Sequence, residues 1–355
     1  MTPPRVCYLG AYDPAYPRNL ILRRGLERQG VWVSECAVPR ALNTAGRMRA
    51  LRRAFEPVKG DVDVIVLAEF GQALAPLAWW LARRYRKKLV IDAFTPTYDS
   101  AVYDRGVARP RSPAALRYWL IDWLALRLAD LALADTGAHR DYYAGAFGAR
   151  PEKIAVIPVG AADEWFKTAP PPREQPRLLV QFYGSYIPLH GVEVILHAAH
   201  LLTAQAEVRF ELIGRGQTYA AMRALAADLD LQNVAFVEPV PPEALPGLVA
   251  RADLCLGIFG STPKASRVVP NKVYQTLALG KPLISADTPA LREAFGPGEH
   301  LLAVSPGDPA ALAEAILALD SDPDRARRLG EAGRARMEAE FNEAALGRRL
   351  LDAIS

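Results

Sequence analysis

Short apolar runs alternate with stretches of helical periodicity along the whole chain. Examples of the runs are "RVCYLG", "DVIVLAE" and "KLVIDAF" in the first half and "RLLVQFYG", "VRFELIG" and "DLCLGIFG" in the second. Between such runs, residues 194–202 and 218–229 repeat apolar positions at the spacing of one helix face. Nearly continuous apolar strands separated by helices are typical of parallel sheets with helices on both faces. The pattern predicts an α/β fold of the doubly wound, Rossmann-like class.

The alternation forms two series, which are separated by the segment "KTAPPPREQPR" at 167–177. Prolines fix φ and remove backbone donors, so this segment favours a linker over a helix or a strand. A chain of 355 residues also suits two cores better than one. We therefore predict an N-terminal domain over 1–168, a second domain over 177–335 that faces it across a cleft, and a C-terminal helix over 336–355. Packing of that helix back onto the N-terminal domain is one arrangement.

The composition is that of a globular protein, with 51% hydrophobic and 23% charged residues. A net charge of +4 suits phosphate-bearing ligands or an anionic membrane surface, and it equally suits an ordinary solvated surface. The three cysteines lie far apart and predict neither a disulfide framework nor a zinc site. We find no signal-peptide pattern and no stretch near the ~20 apolar residues of a spanning helix. These features predict a cytoplasmic protein, with peripheral attachment to the inner face of the membrane as an alternative.

The first loop with candidate chemistry follows the strand-like run that ends at Gly184. Ligands of doubly wound sheets bind outside the carboxyl ends of the strands, so residues just after each strand are the candidates. Gly184 permits close approach of a ligand to the backbone, and the helix that follows offers free N–H groups to an anion. Ser185 and His190 lie in the intervening loop, although a lone loop histidine is more often simply solvated.

A second loop carries the sequence "LIGRGQTY", which has two of the three glycines of a dinucleotide-binding fingerprint. The position of the third glycine holds Tyr219, so the fingerprint is incomplete. We interpret the segment as a tight turn that brings Arg215 to the mouth of the cleft.

A third loop combines three cations with a predicted helix start, in "TPKASRVVPNKVYQTLALGKP". Asn271 is the predicted N-cap and Gly280 the predicted stop of a short helix whose first residue is Lys272. A cation at this end opposes the helix dipole, at a cost of roughly a few tenths of a kcal/mol when exposed. Two hypotheses follow. Lys272 is a tolerated surface lysine, or an anion is shared between Lys264, Arg267, this lysine and the helix amides.

Three segments of the second half resemble the donor half of retaining glycosyltransferases of family 4, which have the GT-B fold. They are "YGSYIPLHGVEVILHAA", "LDLQNVAFVEPVPPEALPGLVARADLCLGIFG" and "VPNKVYQTLALGKPLISADTPALRE", and their order and spacing match over roughly residues 178–320. Residues 134–166 resemble the end of the family's N-terminal domain. The resemblance implies a hexosyltransferase that moves a sugar from a nucleotide sugar and retains the anomeric configuration. It also implies no metal ion and no cofactor beyond the nucleotide-sugar substrate.

The chain departs from the family's pattern at the donor site. The Arg and Lys with which the family holds the donor diphosphate correspond to Ser185 and His190, and its two glutamates correspond to Arg267 and Gln275. One hypothesis is that the cations have moved, so that Lys272 and its neighbours bind the diphosphate. Gln275 would then bond to a ribose hydroxyl as a neutral partner. The other hypothesis is a decayed site that binds without catalysis.

In the first half, the histidine that the family usually has after an N-domain strand is missing. The segment "VIDAFTPTYD" offers Asp92 instead, which we take as a candidate catalytic residue facing the sugar; an aspartate at a strand end is also a common turn residue. Asp13, in the first loop, either binds acceptor hydroxyls or caps a turn. Asp61 and Asp63 imitate an Asp-x-Asp metal motif, but they precede a strand. We interpret them as a strand entry and predict no metal site.

Two stretches of the first half have the composition of surfaces that contact membranes. In residues 74–88, Trp79 and Trp80 precede a basic cluster. Because this stretch lies between two strands, we favour a crossover helix with an ordinary solvated end. Residues 116–135, "LRYWLIDWLALRLADLALAD", are apolar on nearly every side. Such a pattern is typical of a helix that is buried in the protein, or partly buried in a membrane or a partner.

The sequence thus predicts a metal-independent retaining glycosyltransferase that binds a nucleotide sugar and a saccharide or lipid-linked glycan acceptor, and no nucleic acid. Catalysis would come from positioning both substrates and stabilising the leaving diphosphate, since no side chain stands out as a covalent nucleophile. The alternatives are a non-catalytic nucleotide or glycan binder and a nucleotide-sugar epimerase of the same fold. The candidate catalytic residues are Asp13 and Asp92, and the candidate donor-binding residues are Gly184, Ser185, His190, Arg215, Lys264, Arg267, Asn271, Lys272 and Gln275.

Overall fold

The chain folds into two compact units, one formed by Met1–Gly160 with Asn342–Ser355 and the other by Ala161–Phe341. The computed structural model describes residues 3–169 and 178–355. Each unit contains a six-stranded sheet in which every neighbouring pair of strands is parallel. Helices connect the strands in both units, so the doubly wound α/β class predicted from the hydrophobic pattern is confirmed.

The first sheet has the strand order β2-β1-β3-β4-β5-β6. Its strands are nearly all buried because helices cover both faces, which explains their continuous apolar runs. They are β1 (Val6–Gly10), β2 (Val33–Ala37), β3 (Val64–Leu67), β4 (Lys88–Phe94), β5 (Leu131–Ala134) and β6 (Ile154–Val156).

The helices of the first unit are α1 (Pro17–Arg28), α2 (Thr44–Phe55), α3 (Ala75–Tyr85), α4 (Thr97–Asp99), α5 (Pro113–Leu128) and α6 (Gly137–Phe147). Helices α2, α5 and α6 begin at polar caps that satisfy one of their first free N–H groups. The side chains of Ser112 and Thr136, for example, accept from the backbone nitrogens of Ala115 and His139. Short 3₁₀ turns at Gln72–Leu74 and Pro151–Lys153 and a π-helical turn at Ser100–Asp104 complete the connections.

The second sheet has the strand order β12-β11-β10-β7-β8-β9. Its strands are β7 (Leu178–Tyr183), β8 (Val208–Ile213), β9 (Val234–Val237), β10 (Leu254–Leu256), β11 (Leu283–Ala286) and β12 (Leu302–Val304). The helices around it are α7 (Asp163–Lys167), α8 (Val192–Leu201), α9 (Tyr219–Asp228), α10 (Leu245–Ala250), α11 (Asn271–Ala278), α12 (Pro289–Ala294), α13 (Pro309–Asp320) and α14 (Pro323–Glu340). The turns Pro188–His190 and Ala265–Arg267 are 3₁₀ helices.

The predicted domain limits differ from the two units of the structure. Of the segment 167–177, residues 170–177 lie outside the described residues. The structure divides the chain earlier, after Gly160, because α7 packs within the second unit. There Trp165 of α7 stacks on Tyr183 at the end of β7, with ring centroids 6.1 Å apart.

The C-terminal segment also differs from the single helix predicted over 336–355. The helix α14 ends at Glu340, and a separate helix α15 runs over Glu343–Ile354. The break occurs because the side chain of Asn342 accepts from the backbone nitrogen of Ala345 and caps a new helix. In the first unit, α15 packs closely against α1.

Two glycines allow the close contact between α1 and α15. A Cβ on Gly25 would lie 2.4 Å from the backbone oxygen of Glu343, and one on Gly347 would lie 2.0 Å from the backbone oxygen of Gly25. The buried carboxylate of Glu343 also pairs with Arg28 at 3.0 Å. The last residues of the chain are thus part of the first unit's core. Among the described residues, no helix combines the length and the apolar character that a bilayer crossing requires.

Candidate functional site

The candidate donor site lies where the strand order of the second sheet reverses, between β7 and β10. The chain leaves β7 toward β8 on one side, whereas β10 and the strands after it lie on the other side, and such switch points are where doubly wound sheets bind ligands. Gly184 follows β7 with a φ of +141°, a conformation that other residues rarely adopt. Gly191 precedes α8, and a Cβ there would lie 2.4 Å from the backbone nitrogen of Gly260 in the loop after β10. The two loops therefore pack backbone against backbone.

Helix α11 begins one residue earlier than predicted. Its N-cap is Pro270, whose extended backbone (ψ 155°) leads into the helix, and no side chain caps its first N–H groups. Asn271 is therefore the first helical residue rather than the cap, and Lys272 is the second. The helix ends at Ala278, and Gly280 follows with a φ of +72°. The amides at the start of α11 thus have no side-chain cap.

Lys272 is buried, which contradicts the first of the two hypotheses, that of a tolerated surface lysine. Its side chain is 4% exposed, and the ammonium nitrogen has no hydrogen-bond partner among the described residues. Nζ lies 3.7 Å from the centroid of the Phe182 ring in β7. Burial lowers the pKa of Lys272 well below its usual value. A buried amine without an anionic partner is costly, so this residue requires a reason beyond the fold.

Gly184, His190 and Lys272 meet at one point. A Cβ on Gly184 would lie 3.1 Å from Nζ of Lys272 and 3.4 Å from Cε1 of His190. The ring of His190 packs edge-on against Phe182, with centroids 5.8 Å apart, and its Nδ1–H donates to the backbone oxygen of Ser185. A side chain at Gly184 would crowd the lysine, so glycine allows the loop to approach it closely. The loop after β7 and the start of α11 thus surround the side-chain nitrogen of Lys272. The sequence identified these two segments but not the burial of the lysine between them.

Gln275 lies one turn further along α11 and is 7% exposed. Its side-chain oxygen accepts from the hydroxyl of Tyr183 at 3.1 Å. Tyr183 in turn stacks on Trp165, with ring planes 15° apart. Both aromatic residues were missed in the sequence, because each resembles an ordinary core residue when read alone. The ribose contact of Gln275 stays a prediction.

Arg215 does not lie free at a binding surface. Its guanidinium donates two hydrogen bonds to the carboxylate of Glu238, at 2.7 and 2.6 Å, and it covers the ring of Tyr219 at 4.7 Å. Both partners of the ion pair are exposed. The bidentate pair neutralises Arg215 and anchors the turn, which explains its position without a ligand.

The remaining donor candidates lie in the loop after β7 and in the segment that leads into α11. Lys264 is 7% exposed, Arg267 is half-buried at the end of the 3₁₀ turn, and Asn271 is half-buried at the start of α11. Ser185 is exposed in the loop after β7. Asn271 is the first residue of α11, whereas the other three lie in the two segments predicted for the site. Their contacts with a diphosphate stay predictions.

Asp92 occupies a different environment from the one expected of a catalytic residue. It lies within β4, is 1% exposed, and accepts from Nε of Arg18 at 2.7 Å. Arg18 is fully buried, and its Nη1 also donates to the backbone oxygen of Ile157 at 2.8 Å. The geometry is that of a structural ion pair that joins α1 to the sheet. It is neither a turn residue nor an accessible carboxylate, so the sequence-based prediction for Asp92 needs this correction.

The other aspartates of the first half have structural partners. Asp13 is exposed, and its carboxylate accepts from the backbone nitrogen of Ala15 at 2.9 Å, the arrangement of a turn cap. This is the second of the two alternatives that the sequence left open. Asp63 accepts from the backbone nitrogen of Arg5 at 2.9 Å just before β3, which confirms its interpretation as a strand entry. Among the described residues, no group of three or more His, Cys, Asp or Glu side chains is placed to hold a metal ion.

Two buried acidic groups of the first unit were missed in the sequence. Glu69, just after β3, is 1% exposed and pairs with Arg40 at 3.2 Å. Burial, reinforced by the nearby Asp92, raises the pKa of Glu69 to about 8. Asp135, just after β5, accepts from the imidazole of His139. Both carboxylates follow strands, in "VLAEF" and "LADT", and that position was the signal that could have identified them.

Two family models together match most of the chain. The model described as "Glycosyl transferase 4-like domain" matches residues 5–160, and the one described as "Glycosyl transferases group 1" matches residues 177–322. The two matches coincide with the two sheets.

Curated relatives carry related names. The chain is 27% identical to the D-inositol 3-phosphate glycosyltransferase 1 of Catenulispora acidiphila over 82% of its own length and 71% of the relative's. It is 28% identical to the D-inositol 3-phosphate glycosyltransferase of Nocardia farcinica over 71% and 58%. It is also 27% identical to the MMP alpha-(1->4)-mannosyltransferase of Mycolicibacterium hassiacum over 55% and 46%. The chain thus spans about half the length of the last two relatives.

Solved structures share the fold. Sucrose-phosphate synthase from Thermosynechococcus elongatus aligns with a TM-score of 0.77 and 18% identity, over 98% of this chain and 97% of that one. The Anabaena protein HepE in complex with UDP-glucose aligns with a TM-score of 0.75 and 17% identity, over 98% of both chains. With the matches to both family models, these findings identify the chain as a member of glycosyltransferase family 4, with the GT-B fold.

Proposed function

We propose that this protein is a retaining, metal-independent glycosyltransferase that moves a sugar from a nucleotide-sugar donor to a saccharide or lipid-linked glycan. The observation that carries the proposal is Lys272, a buried lysine at the start of an uncapped helix, whose side-chain nitrogen has no hydrogen-bond partner among the described residues. Because a lipid-linked acceptor resides in a bilayer, we include peripheral contact with the inner face of the membrane.

A diphosphate would supply the anionic hydrogen-bond partner that Lys272 lacks among the described residues. The anion would accept charge-assisted hydrogen bonds from the ammonium and from the free amides at the start of α11, where the helix dipole also favours negative charge. The backbone at Gly184 lies directly beside the ammonium, since a Cβ on this glycine would come within 3.1 Å of Nζ. The binding energy would offset the cost of burying the amine.

The same contacts would favour departure of the nucleotide. As the bond between the sugar and the diphosphate breaks, negative charge builds up on the leaving phosphate oxygen. A lysine and helix amides held in a water-poor site stabilise that charge, which is the role a metal ion has in other enzymes. The chemistry therefore needs no metal at this site. Positioning of the acceptor hydroxyl would supply much of the remaining acceleration.

Names among the relatives support a nucleotide-sugar donor. The relative in Corynebacterium glutamicum is named as a GDP-mannose-dependent mannosyltransferase, and structures of the fold neighbour HepE contain UDP or UDP-glucose. The base and the sugar differ between these proteins. Both donors present a diphosphate, which is the part that the Lys272 position fits.

A thermal-shift screen with UDP, GDP and ADP tests the donor site. One nucleotide should stabilise the protein; at about 100 times Kd the gain is roughly 2.7 kcal/mol. For a chain of this size, that gain corresponds to a shift of several degrees in Tm. The Lys272→Met variant should lose the shift. The matched Lys281→Met variant, altered just beyond the other end of α11, should keep it. A well-folded protein that responds to no nucleotide at millimolar concentration contradicts the proposal.

Transfer itself is tested separately from binding. The protein should consume the nucleotide sugar that corresponds to the best nucleotide, slowly by hydrolysis without acceptor and faster with one. A chelator should leave the rate unchanged. If the nucleotide binds but the sugar is never released, the protein is a binder. If chelation abolishes activity and manganese or magnesium restores it, Asp61 and Asp63 must be reconsidered.

A further inference from the structure

Helix α5 exposes a row of leucines to solvent. Leu116, Leu120 and Leu124 follow each other at intervals of four residues, so they lie on one face of the helix. Their exposed fractions are 56%, 45% and 37%. The sequence predicted a helix apolar on nearly every side, and the structure shows which side the protein leaves uncovered. A contiguous apolar face of this kind marks an interaction surface.

The charged residues beside these leucines are all positive. Arg117 and Arg127 are exposed and lie on the same side of the helix as the leucines, by the 3.6-residue period. The acidic residue of α5, Asp122, is 1% exposed on the opposite side, where it accepts from the backbone nitrogens of Thr97 and Tyr98. We call the surface formed by Leu116, Arg117, Leu120, Leu124 and Arg127 the α5 face.

A cationic cavity of about 170 Å³ adjoins the C-terminal end of the α5 face. Arg127 belongs to both, and Arg150 and Lys153 bring two further positive charges. The other lining residues are Leu126, Ala132, Gly148, Ala149 and Ile154, so no carboxylate lines the cavity. Glu152 is exposed in the same turn but is not part of the lining. The cavity therefore suits a phosphate group.

The neighbouring helix α3 adds an aromatic residue of the type found at membrane interfaces. Trp79 is 38% exposed and lies one turn before Arg83, which pairs at 2.8 Å with Asp130 just after α5. This ion pair places that side of α3 next to the end of α5. Tryptophan is enriched where a protein meets the headgroup region of a bilayer.

We propose that the α5 face docks onto an anionic phospholipid bilayer, with the leucines in the acyl boundary and a lipid phosphate in the cavity. Charge favours this occupant over a second copy of the chain, because a two-fold contact would oppose Arg117 and Arg127 to their own counterparts. Exposed apolar residues flanked by cations are the pattern of surfaces that lie on anionic membranes. The inference rests on the proposed function in one respect, because a lipid-linked acceptor would be the reason for the protein to dock onto that membrane.

Vesicle flotation with the full chain tests the proposal. The protein should float with phosphatidylcholine vesicles that contain phosphatidylglycerol and much less with phosphatidylcholine alone. Removing two cations in Arg127→Gln/Lys153→Gln should weaken binding about 25-fold, at roughly fivefold for each charge. The Leu120→Gln/Leu124→Gln variant should weaken it at least about tenfold, since each leucine loses apolar burial. High salt should reduce binding of the native chain, because surface charges are then screened.

Matched variants on the second unit separate the α5 face from general charge or apolarity. Leu201 is 56% exposed on α8, and Arg325 and Arg328 are exposed on α14. The variants Leu201→Gln and Arg325→Gln/Arg328→Gln should bind vesicles as the native chain does. Every variant should melt near the native temperature, because the altered side chains are exposed or line an open cavity.

Four results would overturn the inference. The first is that the protein shows no preference for anionic vesicles, and the second is that the control variants lose as much vesicle binding as the variants of the α5 face. The third is self-association of the native chain that the leucine variant abolishes. The fourth is a thermal shift with inorganic phosphate that Arg127→Gln/Lys153→Gln abolishes while vesicle binding persists. The thermal shift with nucleotide, measured in the same preparations, distinguishes failure of the membrane-docking proposal from failure of the donor-site proposal. If that response persists without vesicle binding, only the docking surface is wrong; if vesicles bind without it, only the donor site is wrong.

Discussion

Each unit of the molecule buries a cation near the carboxyl ends of its strands, and the two cations differ in what surrounds them. Arg18 in the first unit is fully buried, pairs with Asp92 at 2.7 Å and donates to a backbone oxygen. Lys272 in the second unit is 4% exposed and has no hydrogen-bond partner among the described residues. Both cations lie against an aromatic ring, Phe94 for Arg18 and Phe182 for Lys272. They differ in that Arg18 has an anionic partner, Asp92, whereas the side-chain nitrogen of Lys272 has no hydrogen-bond partner among the described residues.

The difference separates a cation whose charge an aspartate of the fold balances from one whose charge, under the proposed function, a bound diphosphate would balance. A buried ion pair is a structural unit, and breaking it destabilises the protein, although Nη2 of Arg18 and Oδ1 of Asp92 have no hydrogen-bond partner among the described residues. A buried amine without an anion is costly to charge in the free protein, and this cost is the reason for proposing a bound anion beside Lys272. The sequence could not show that Asp92 is buried in an ion pair with Arg18, and its catalytic role stays a prediction. A carboxylate after apolar residues resembles a site residue until its partner is seen.

The largest expected effect is on the paired cation. Asp92→Asn removes the charge opposite Arg18 and should cost about 3–5 kcal/mol of unfolding free energy, because an uncompensated charge remains buried. Urea unfolding measures this loss. The matched variant Asp141→Asn, which breaks the exposed pair with Arg140, should change stability by less than about 1 kcal/mol. If Asp92→Asn keeps its stability but abolishes sugar transfer, Asp92 is catalytic, as the sequence suggested.

A second prediction concerns Glu69, a buried carboxylate close to this pair. Its pKa is raised to about 8, chiefly by burial and then by Asp92, while Arg40 and Arg18 oppose the shift. The folded protein therefore holds this proton more tightly than the unfolded chain does. The associated stability is complete below about pH 4.5 and is lost as the pH rises to about 8.

Glu69→Gln should remove that pH dependence. Relative to the native chain, the variant should gain on the order of 4 kcal/mol between pH 5 and pH 9, a pH range set by the two pKa values. Unfolding free energies of both proteins at several pH values measure the gain. A constant difference between the two proteins across the range would show that Glu69 titrates normally.

Local patterns predicted the elements and the class of fold well. The periodicity at 194–202 and 218–229 corresponds to α8 and α9 within about two residues, and the apolar runs became the parallel strands. Errors occurred where one residue decides a boundary. Pro270 rather than Asn271 precedes α11, and the cap at Asn342 divides the C-terminal segment into two helices.

The site was only partly predictable, because its meaning lies in contacts between distant parts of the chain. The loops around Gly184 and Lys272 were identified from strand ends and charge. Burial of the lysine against Phe182 could not be, since it depends on how α11 packs on β7. The pairing of Asp92 with a residue 74 positions away was equally invisible. The ion pair of Arg215 was invisible for the same reason, because its partner Glu238 lies on another loop, and its contact with the donor stays a prediction.

The smallest expected effect concerns Arg215, a cation that is paired and exposed. Arg215→Gln breaks its bonds to Glu238 at the surface, where such pairs contribute about 0–1 kcal/mol. Nucleotide affinity should change less than about threefold, which is below 1 kcal/mol. Calorimetric titration of the variant and the native chain measures the change. A tenfold or larger loss of affinity at unchanged stability would return Arg215 to the donor site.

The most direct test of the account is calorimetric titration of the preferred nucleoside diphosphate into native protein and Lys272→Met, in buffers with different ionisation enthalpies. Burial lowers the pKa of Lys272 in the free protein, and a bound diphosphate should raise it again, so the native chain should take up protons on binding. The variant should take up fewer protons and bind about 10- to 100-fold more weakly, the loss of one charged hydrogen bond. Without nucleotide it should be at least as stable as the native chain. Equal affinity and proton uptake, with a loss of several kcal/mol in the free variant, would show that Lys272 is structural and that the donor site lies elsewhere.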